Sequence, residues 1–302
     1  MSKSVGAVVA VLGGVVLALQ ARINGKLGGA LGDGLLAAVI SFVIGLVILA
    51  TAVAALPSAR AAVGRLTDRL RTGHLRPWQC LGGTAGAWYV TSQGLTVSLL
   101  GVAVFTVAVV AGQVVSSLVV DRAGLAPGVP QPITAPRAVG AALAVIAVGV
   151  AVSDEFGRPG HLWLALVPAL AGVGLGWQQA VNGQVRAAAD SVVVASALNF
   201  AVGLVALLLA SGVDVALRGL PAALPSQWWL YLGGVLGVFA LSTAVFAVRL
   251  IGVLMVGLCA VAGQLAGAVL LDVADDVVQP ATVAGVVITF VAVGVAALPR
   301  RE

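Results

Sequence analysis

Charged residues are scarce in this 302-residue sequence. Only 9% of its residues are Asp, Glu, Lys or Arg, against about 25% in a typical soluble domain. Hydrophobic residues make up 61%, and the mean hydropathy is +1.13. Such a chain cannot cover itself with polar surface, so lipid must be its solvent. The net charge of +5 would also suit nucleic acid. However, the basic residues stand in short loops between apolar runs, where they set membrane topology, so we expect no nucleic-acid partner.

Cysteine and histidine are nearly absent as well, with two of each. Cys80 and Cys259 lie in apolar segments, and we expect them to be buried hydrophobic side chains, not a disulfide. His74 and His161 fall in loops far apart along the chain. The sequence therefore predicts no metal site, no cofactor and no Ser/His/Asp constellation of the kind that a membrane enzyme would need.

The second half of the sequence repeats the first. Gln20, Asn24 and Phe42 recur 158 residues later as Gln178, Asn182 and Phe200. A second set recurs at a spacing of 151 residues: Gly82, Gly86, Gly112, Gln113 and Asp121 return as Gly233, Gly237, Gly263, Gln264 and Asp272. A repeat of about 150 residues is too long for a solenoid unit, so it indicates a duplicated domain. In an apolar chain this is typical of transporters.

Apolar runs long enough to cross a membrane as helices occur ten times. They fall near 4–22, 35–56, 78–97, 101–120, 137–153, 161–181, 191–213, 228–248, 252–271 and 282–298. The predicted fold is therefore an all-α integral membrane protein of ten transmembrane helices in two five-helix repeats. The repeats are residues 1–155, with a basic cytoplasmic loop at 58–77, and residues 156–302.

The basic residues predict the orientation. If the N-terminus and every second loop share one side, that side holds 12 of the 16 lysines and arginines; the other holds Arg22, Lys26, Arg158 and Arg218. The positive-inside rule then places both termini in the cytoplasm. Because five is odd, the second half begins on the opposite side. The two halves are therefore predicted to be inverted, related by a pseudo-two-fold axis in the membrane plane.

The layout resembles that of the drug/metabolite transporter superfamily. Within it, the chain is similar to the YdcZ-like family of bacterial inner-membrane exporters. The similarity is carried by Gln20-Ala21-Arg22-Ile23-Asn24-Gly25, by Ser41-Phe42-Val43-Ile44-Gly45, and by their echoes at 178–183 and 199–203. The resemblance implies an EamA-like fold and secondary transport, and places the chain in the bacterial inner membrane. Small multidrug resistance relatives use a glutamate in their first span, but spans 1 and 6 of this chain contain no acidic residue.

Side-chain amides inside the spans are the candidate substrate-binding groups, because an amide in a membrane must face protein or a watery cavity. Gln20 and Asn24 share one helix face, as do Gln178 and Asn182. Gln113 and Gln264 form another duplicated pair, and Asn199 is equivalent to Ser41. We expect the duplicated amides to converge on one central cavity. The alternative is that they only hold neighbouring helices together.

Span 3 is the most polar stretch, and its counterpart in the second half keeps few of its polar residues. It contains Trp88 and Gln93, so we expect it to supply specificity. Trp88 and Trp177 would either stack on a substrate or pack as ordinary aromatic residues. The glycine pairs Gly82/Gly86 and Gly233/Gly237 predict close helix contacts.

Asp121 and Asp272 are the candidate residues for proton or cation coupling, because they are the most deeply placed duplicated acids. The alternative is that each stands at the membrane boundary, where a charge costs little. The arginines of the 58–77 loop predict a short amphipathic helix on the cytoplasmic surface. That helix would anchor the topology and attract anionic lipid, or else form a substrate or partner site.

Taken together, these patterns favour a secondary transporter that exports a small organic solute by alternating access. A membrane-embedded enzyme or scaffold is the alternative. The expected partners are a small-molecule substrate and membrane lipids, and the sequence leaves a homodimer open. Substrate, coupling ion and direction are not encoded in any motif of the chain.

Overall fold

The structure is a computed structural model that describes residues 3–125, 133–151, 153, 159–218, 224–276 and 279–296. Within these ranges, the side chains of 3, 121, 159–163, 217, 218, 241, 244–246, 248–258 and 296 are outside the description. The described part of the chain is helical and contains no strand. It confirms the all-α class expected from the sequence.

Nine α-helices follow one another along the described chain. They are α1 (Lys3–Leu31), α2 (Gly34–Ala55), α3 (Pro57–Arg71), α4 (Gly82–Arg122), α5 (Ala135–Ala151), α6 (Pro159–Ala189), α7 (Val192–Arg218), α8 (Gly233–Ala274) and α9 (Pro280–Ala296). Two 3₁₀ turns, Pro77–Leu81 and Trp228–Leu232, lead into α4 and α8. The amphipathic helix predicted in the 58–77 loop is present as α3.

Local sequence explains where the first helices begin. Gly32 takes a positive φ of 65° in the turn after α1, a conformation that glycine adopts without steric cost. Asp33 then caps α2: its Oδ1 atom accepts hydrogen bonds from the backbone N–H groups of Leu35 (2.8 Å) and Leu36 (3.0 Å). Pro57 occupies the first turn of α3, where its missing N–H is not needed.

Helix α4 is broken at Gly101, whose φ of 80° and ψ of 163° are not helical. A straight helix of 41 residues would be about 60 Å long, twice the thickness of the hydrocarbon core. The sequence predicted separate spans at 78–97 and 101–120, and again at 228–248 and 252–271. The break at Gly101 divides α4 at the boundary predicted between the first two spans, whereas one helix, α8, covers most of the second pair. In α4 a single non-helical residue is enough to redirect the chain.

Helices from the first 155 residues lie mainly against helices from the rest of the chain. Helix α1 packs on α8, α4 on α6, α2 on α7, and α5 on α9. The α2–α7 contact is reciprocal: Gly45 lies against the Phe200 ring, Gly203 lies against the Phe42 ring, and the two rings are 4.9 Å apart. Such an exchange of equivalent contacts is what a two-fold relation produces.

Five of the described helical segments are long and apolar enough to cross a membrane: Ser4–Leu31, Gly34–Ala55, Pro77–Val120, Leu164–Ala189 and Val192–Ala216. Large apolar side chains on their surfaces remain exposed, for example Leu99, Leu166 and Leu209. A soluble monomer rarely exposes so much apolar surface, so these faces fit a lipid environment. Cys80 and Cys259 are free thiols, and both are half-buried instead of buried as expected, because each lies at the edge of a helix contact.

Candidate functional site

Six polar side chains from four helices meet around Asn24, and we call this group the Asn24 cluster: Gln20, Asn24, Ser41, Tyr89, Gln93 and Gln264. The Asn24 amide donates to Gln93 Oε1 (2.6 Å) and accepts from the Ser41 hydroxyl (2.7 Å). The Tyr89 phenol lies near the side chains of Gln93 and Gln264. Asn24 and Gln93 are fully buried. In an apolar surrounding such groups need each other as partners.

The equivalent residues of the second half form the Asn182 cluster, which consists of Gln178, Asn182 and Asn199. Asn199 Oδ1 accepts hydrogen bonds from Gln178 Nε2 (2.9 Å) and from Asn182 Nδ2 (3.0 Å). Asn199 takes the place of Ser41, but the direction of the hydrogen bond is reversed: Ser41 donates to Asn24, whereas Asn199 accepts from Asn182. The two clusters thus share three positions of the repeat, whereas Tyr89, Gln93 and Gln264 belong to the Asn24 cluster alone.

Each cluster is seated on a glycine pair from the opposite half. A methyl group built on Gly233 would lie 2.0 Å from Asn24 Oδ1, and one on Gly237 would lie 2.8 Å from Gln20 Nε2. Equivalent distances from Gly82 to Asn182 Oδ1 and from Gly86 to Gln178 Nε2 are 2.6 and 2.8 Å. The glycine pairs therefore make the close helix contacts predicted from the sequence, and they make room for amides.

Both clusters border the same face of α4. Gly82 and Gly86 carry the Asn182 cluster, while Gln93, on the same face seven residues beyond Gly86, reaches the Asn24 cluster. With a rise of about 1.5 Å per residue, the clusters are about 10 Å apart along the helix. The amides are thus arranged along one line, in two groups.

Each cluster retains one unused hydrogen-bonding group. The Nε2 atom of Gln93, a donor, and the Oε1 atom of Gln178, an acceptor, are buried and have no hydrogen-bond partner in the described part of the chain. An unpaired buried polar atom costs about 1–3 kcal/mol. A solute with one acceptor and one donor would remove that cost without requiring any charge on the protein.

The two clusters are not equally buried. Asn24 is 0% exposed and Ser41 is 3% exposed, whereas their equivalents Asn182 and Asn199 are half-buried. A perfectly symmetric arrangement would bury both equally. The conformation is therefore asymmetric at Asn24 and its equivalent Asn182, although Gln20 and Gln178 are both buried.

Asp272, one of the two candidate coupling residues, is only 3% exposed. Its Oδ1 atom accepts from the N–H of Val102 (2.8 Å) and its Oδ2 atom from the N–H of Ala103 (2.7 Å). These are the first free N–H groups after the break at Gly101, where the helix dipole favours a negative charge. Asp272 thus caps the N-terminus of the part of α4 that begins after Gly101.

An ion-pair group that the sequence analysis missed joins the end of α1 to the end of α8. Asp275 accepts from Arg22 and, at 3.2 Å, from Lys26. Partial burial alone would raise the pKa of Asp275, but the hydrogen bonds from Arg22 and Lys26 outweigh it and hold the pKa below its usual value. The repeat gave no signal for this group, because Asp275 has no acidic equivalent in the first half.

A family model described as "Putative inner membrane exporter, YdcZ" matches residues 5–150 and, separately, residues 163–296. The two matches span nearly the whole chain and divide it into two copies. The chain belongs to this family. It is accordingly a multi-pass protein of the inner membrane, and the family's description is that of an exporter, not of an enzyme.

Solved structures agree with the fold of this YdcZ-family chain. One, titled only "Crystal structure of protein", is 18% identical, with a TM-score of 0.53, and the alignment covers 98% of this chain and 96% of that one. At this identity the likeness concerns the fold alone. No curated protein matches the sequence.

The remaining predicted residues lie outside both clusters. Trp88 is 41% exposed on the surface of α4, and Trp177 is half-buried beside Gln178. Gln113 is also half-buried, and its backbone N–H lies where α4 crosses Gly172 of α6. The Asp121 side chain lies outside the described residues. Two cavities, of about 560 and 310 Å³, are lined by none of the predicted site residues.

Proposed function

We propose that this YdcZ-family protein is a secondary transporter that exports a small polar organic solute across the inner membrane by alternating access. The observation that carries the proposal is the reciprocal seating of each amide cluster on a glycine pair of the other half. In this proposal, residues 1–155 and 156–302 are two inverted five-helix halves. With α3 left out as a surface helix and α4 and α8 each counted as two spans, the chain has ten spans.

In the proposed orientation the clusters lie on opposite sides of the membrane midplane. Gln20 and Asn24 are in the second half of α1, which runs outward, and Gln178 and Asn182 are in the second half of α6, which runs inward. The Asn24 cluster is then nearer the outside and the Asn182 cluster nearer the cytoplasm. The tighter burial of the Asn24 cluster supports a conformation that is closed outside and partly open inside.

The proposed substrate contacts are the unused groups of the clusters. A solute passing along α4 would accept from Gln93 Nε2 at the outer cluster and donate to Gln178 Oε1 at the inner one. Gln93 has an alanine, Ala244, at the equivalent position of the second half, so it adds a group that symmetry does not supply. Amides exchange hydrogen bonds without a change of charge, which suits a neutral or zwitterionic solute.

We expect reporter fusions after residue 30 to lie outside the cell and fusions after residue 65 to lie inside. The reason is the distribution of basic residues, of which α3 alone carries four, Arg60, Arg65, Arg69 and Arg71. Alkaline phosphatase and green fluorescent protein fusions measure the two locations. If both junctions report the same side, the inverted topology is wrong.

Gln178→Leu should reduce ligand-induced thermal stabilisation markedly, whereas Gln179→Leu should preserve it. Gln178 belongs to the Asn182 cluster, but its neighbour Gln179 is exposed on the other side of α6. Loss of the buried hydrogen bonds should weaken binding by about tenfold or more. The measurement is a thermal-shift screen of the purified proteins against a library of metabolites and cations.

In that screen, a compound that stabilises both variants as strongly as the wild type would contradict a role for Gln178 in binding. Each variant's unfolding temperature without ligand serves as the control, because Gln178→Leu also removes the hydrogen bond to Asn199. Gln93→Leu, compared in the same way, tests the outer cluster.

A further inference from the structure

An apolar groove runs between α2, α3 and α7, away from both amide clusters. Its volume is about 560 Å³, within the range of sites that hold small ligands. Leu46 and Val53 of α2, Val63 and Leu66 of α3, and Leu198 of α7 are among the residues that line it. The groove is open along one side, where the apolar helix surfaces face lipid.

Helix α3 covers one side of this groove and is held in place by its packing against α6 and α7. Ala59, Ala62 and Leu66 are buried in a cluster with Val185 of α6 and Val194 of α7. Arg65 adds a hydrogen bond from its Nε atom to the carbonyl oxygen of Ala189 (3.0 Å). These contacts hold α3 against the ends of α6 and α7, so the groove is a built feature and not a gap beneath a loose loop.

Arg60 is the one charged residue among the described residues that line the groove. One of its guanidinium nitrogens donates to the carbonyl oxygen of Ala54 at the end of α2. A guanidinium has five N–H donors in a fixed fork that matches phosphate oxygens, so others stay available. Three further arginines and one aspartate give α3 a net charge of +3.

We propose that this groove is a binding site for an anionic phospholipid. One acyl chain lies along the apolar walls formed by α2 and α7, and the phosphate binds Arg60 at the groove's charged end. The apolar walls exclude a purely polar ligand, because polar groups there would find no partners. The positive charge of α3 selects an anionic headgroup over a zwitterionic one.

The site differs from the proposed substrate path in both place and chemistry, and it does not rest on the transport proposal. It borders the seam between α2 and α7, where Phe42 meets Phe200. A bound lipid would therefore contact one helix from each half of the chain.

Native mass spectrometry of the purified full-length protein tests the proposal. The lipids are dioleoyl phosphatidylglycerol and dioleoyl phosphatidylcholine, titrated separately, and inorganic phosphate is added as a competitor. The variants are Arg60→Gln and Arg71→Gln. Arg71 is an exposed arginine at the end of α3 that does not line the groove, so the two variants lose the same charge. Ala201→Phe, on the α7 wall, fills the groove without changing the charge.

We expect wild-type protein and Arg71→Gln to retain one phosphatidylglycerol more tightly than phosphatidylcholine. Arg60→Gln should weaken phosphatidylglycerol about fivefold and remove the preference. Ala201→Phe should weaken both lipids, with its unfolding temperature without lipid as the check on its fold. Equal losses of phosphatidylglycerol binding in the two arginine variants would overturn the proposal. The headgroup would then be attracted by the overall charge of α3 and not by Arg60 in particular. Equal binding of the two lipids by the wild type, or displacement of phosphatidylglycerol by phosphate, would also overturn it.

Discussion

Asp272→Ala should lower the free energy of unfolding by roughly 3–5 kcal/mol. The substitution removes the acceptors of two backbone hydrogen bonds, from Val102 and Ala103, at a position that is 3% exposed. Each N–H left unpaired in a buried place costs about 1–3 kcal/mol. Surrounding lipid cannot replace the lost acceptors.

Thermal unfolding in detergent measures this loss, with Asp272→Asn and Asp276→Asn as companions. Asparagine at 272 keeps one acceptor but turns an N–H₂ donor towards a backbone donor, so its loss should be intermediate. Asp276 is exposed and has a positive φ of 54°, which asparagine tolerates, so Asp276→Asn should be near neutral. If Asp272→Ala is as stable as Asp276→Asn, the capping role of Asp272 is wrong.

The Asp272→Asn variant also tests proton coupling. If transport is coupled to protons through Asp272 or its repeat mate Asp121, Asp272→Asn and Asp121→Asn should abolish pH-dependent substrate binding. Both oxygens of Asp272 are already engaged at the helix end. We therefore propose that Asp272 is structural. Unchanged pH dependence in both variants would favour transport without a proton carrier at these positions.

Gly172→Ala should cost about 2–3 kcal/mol, whereas Gly212→Ala should stabilise the protein. A methyl group on Gly172 would lie 2.0 Å from the carbonyl oxygen of Val109 in α4, which is backbone and cannot turn aside. Helices α4 and α6 would have to separate. Gly212 is also helical but exposed, with no heavy atom within 4 Å of the added methyl. There alanine gains about 0.5–1 kcal/mol from reduced backbone freedom.

The opposite signs make this pair informative, because both variants make the same chemical change inside a helix. Unfolding temperatures in one detergent provide the comparison. The repeat supplies a replicate in Gly14, where the added methyl would lie 2.0 Å from the carbonyl oxygen of Ala260. A Gly172→Ala protein at least as stable as Gly212→Ala would show that α4 and α6 are not in close contact there.

The sequence revealed the helical class, the repeat and the amides because each leaves a periodic or duplicated trace. Gln178 and Asn182 could be singled out only because Gln20 and Asn24 stand at the same places in the other half. Likewise, Gly82 and Gly86 were recognised as contact residues from their spacing. Which amide each glycine meets depended on tertiary structure.

What the sequence could not predict depends on contacts between distant segments. The capping role of Asp272 leaves no signal in the local sequence, because its partners Val102 and Ala103 lie 170 and 169 residues away. The ion pairs of Asp275 with Arg22 and Lys26 have no repeat mate. Trp88 and Gln93 both belong to span 3, but they lie on different faces of the helix. Trp88 is exposed and Gln93 is buried, and this depends on how the helix is rotated about its axis against its neighbours.

The most direct test of the proposed alternating access is thiol labelling from each side of the membrane. In a Cys80→Ala/Cys259→Ala background, Ser41→Cys and Asn199→Cys place one thiol at equivalent positions of the two clusters. A membrane-impermeant maleimide is applied to intact cells and to inverted vesicles. We predict that the Asn199→Cys thiol reacts only from the cytoplasmic side, and that the buried Ser41→Cys thiol reacts more slowly and only from outside. Labelling of both thiols from the same side would contradict the inverted arrangement of the two halves.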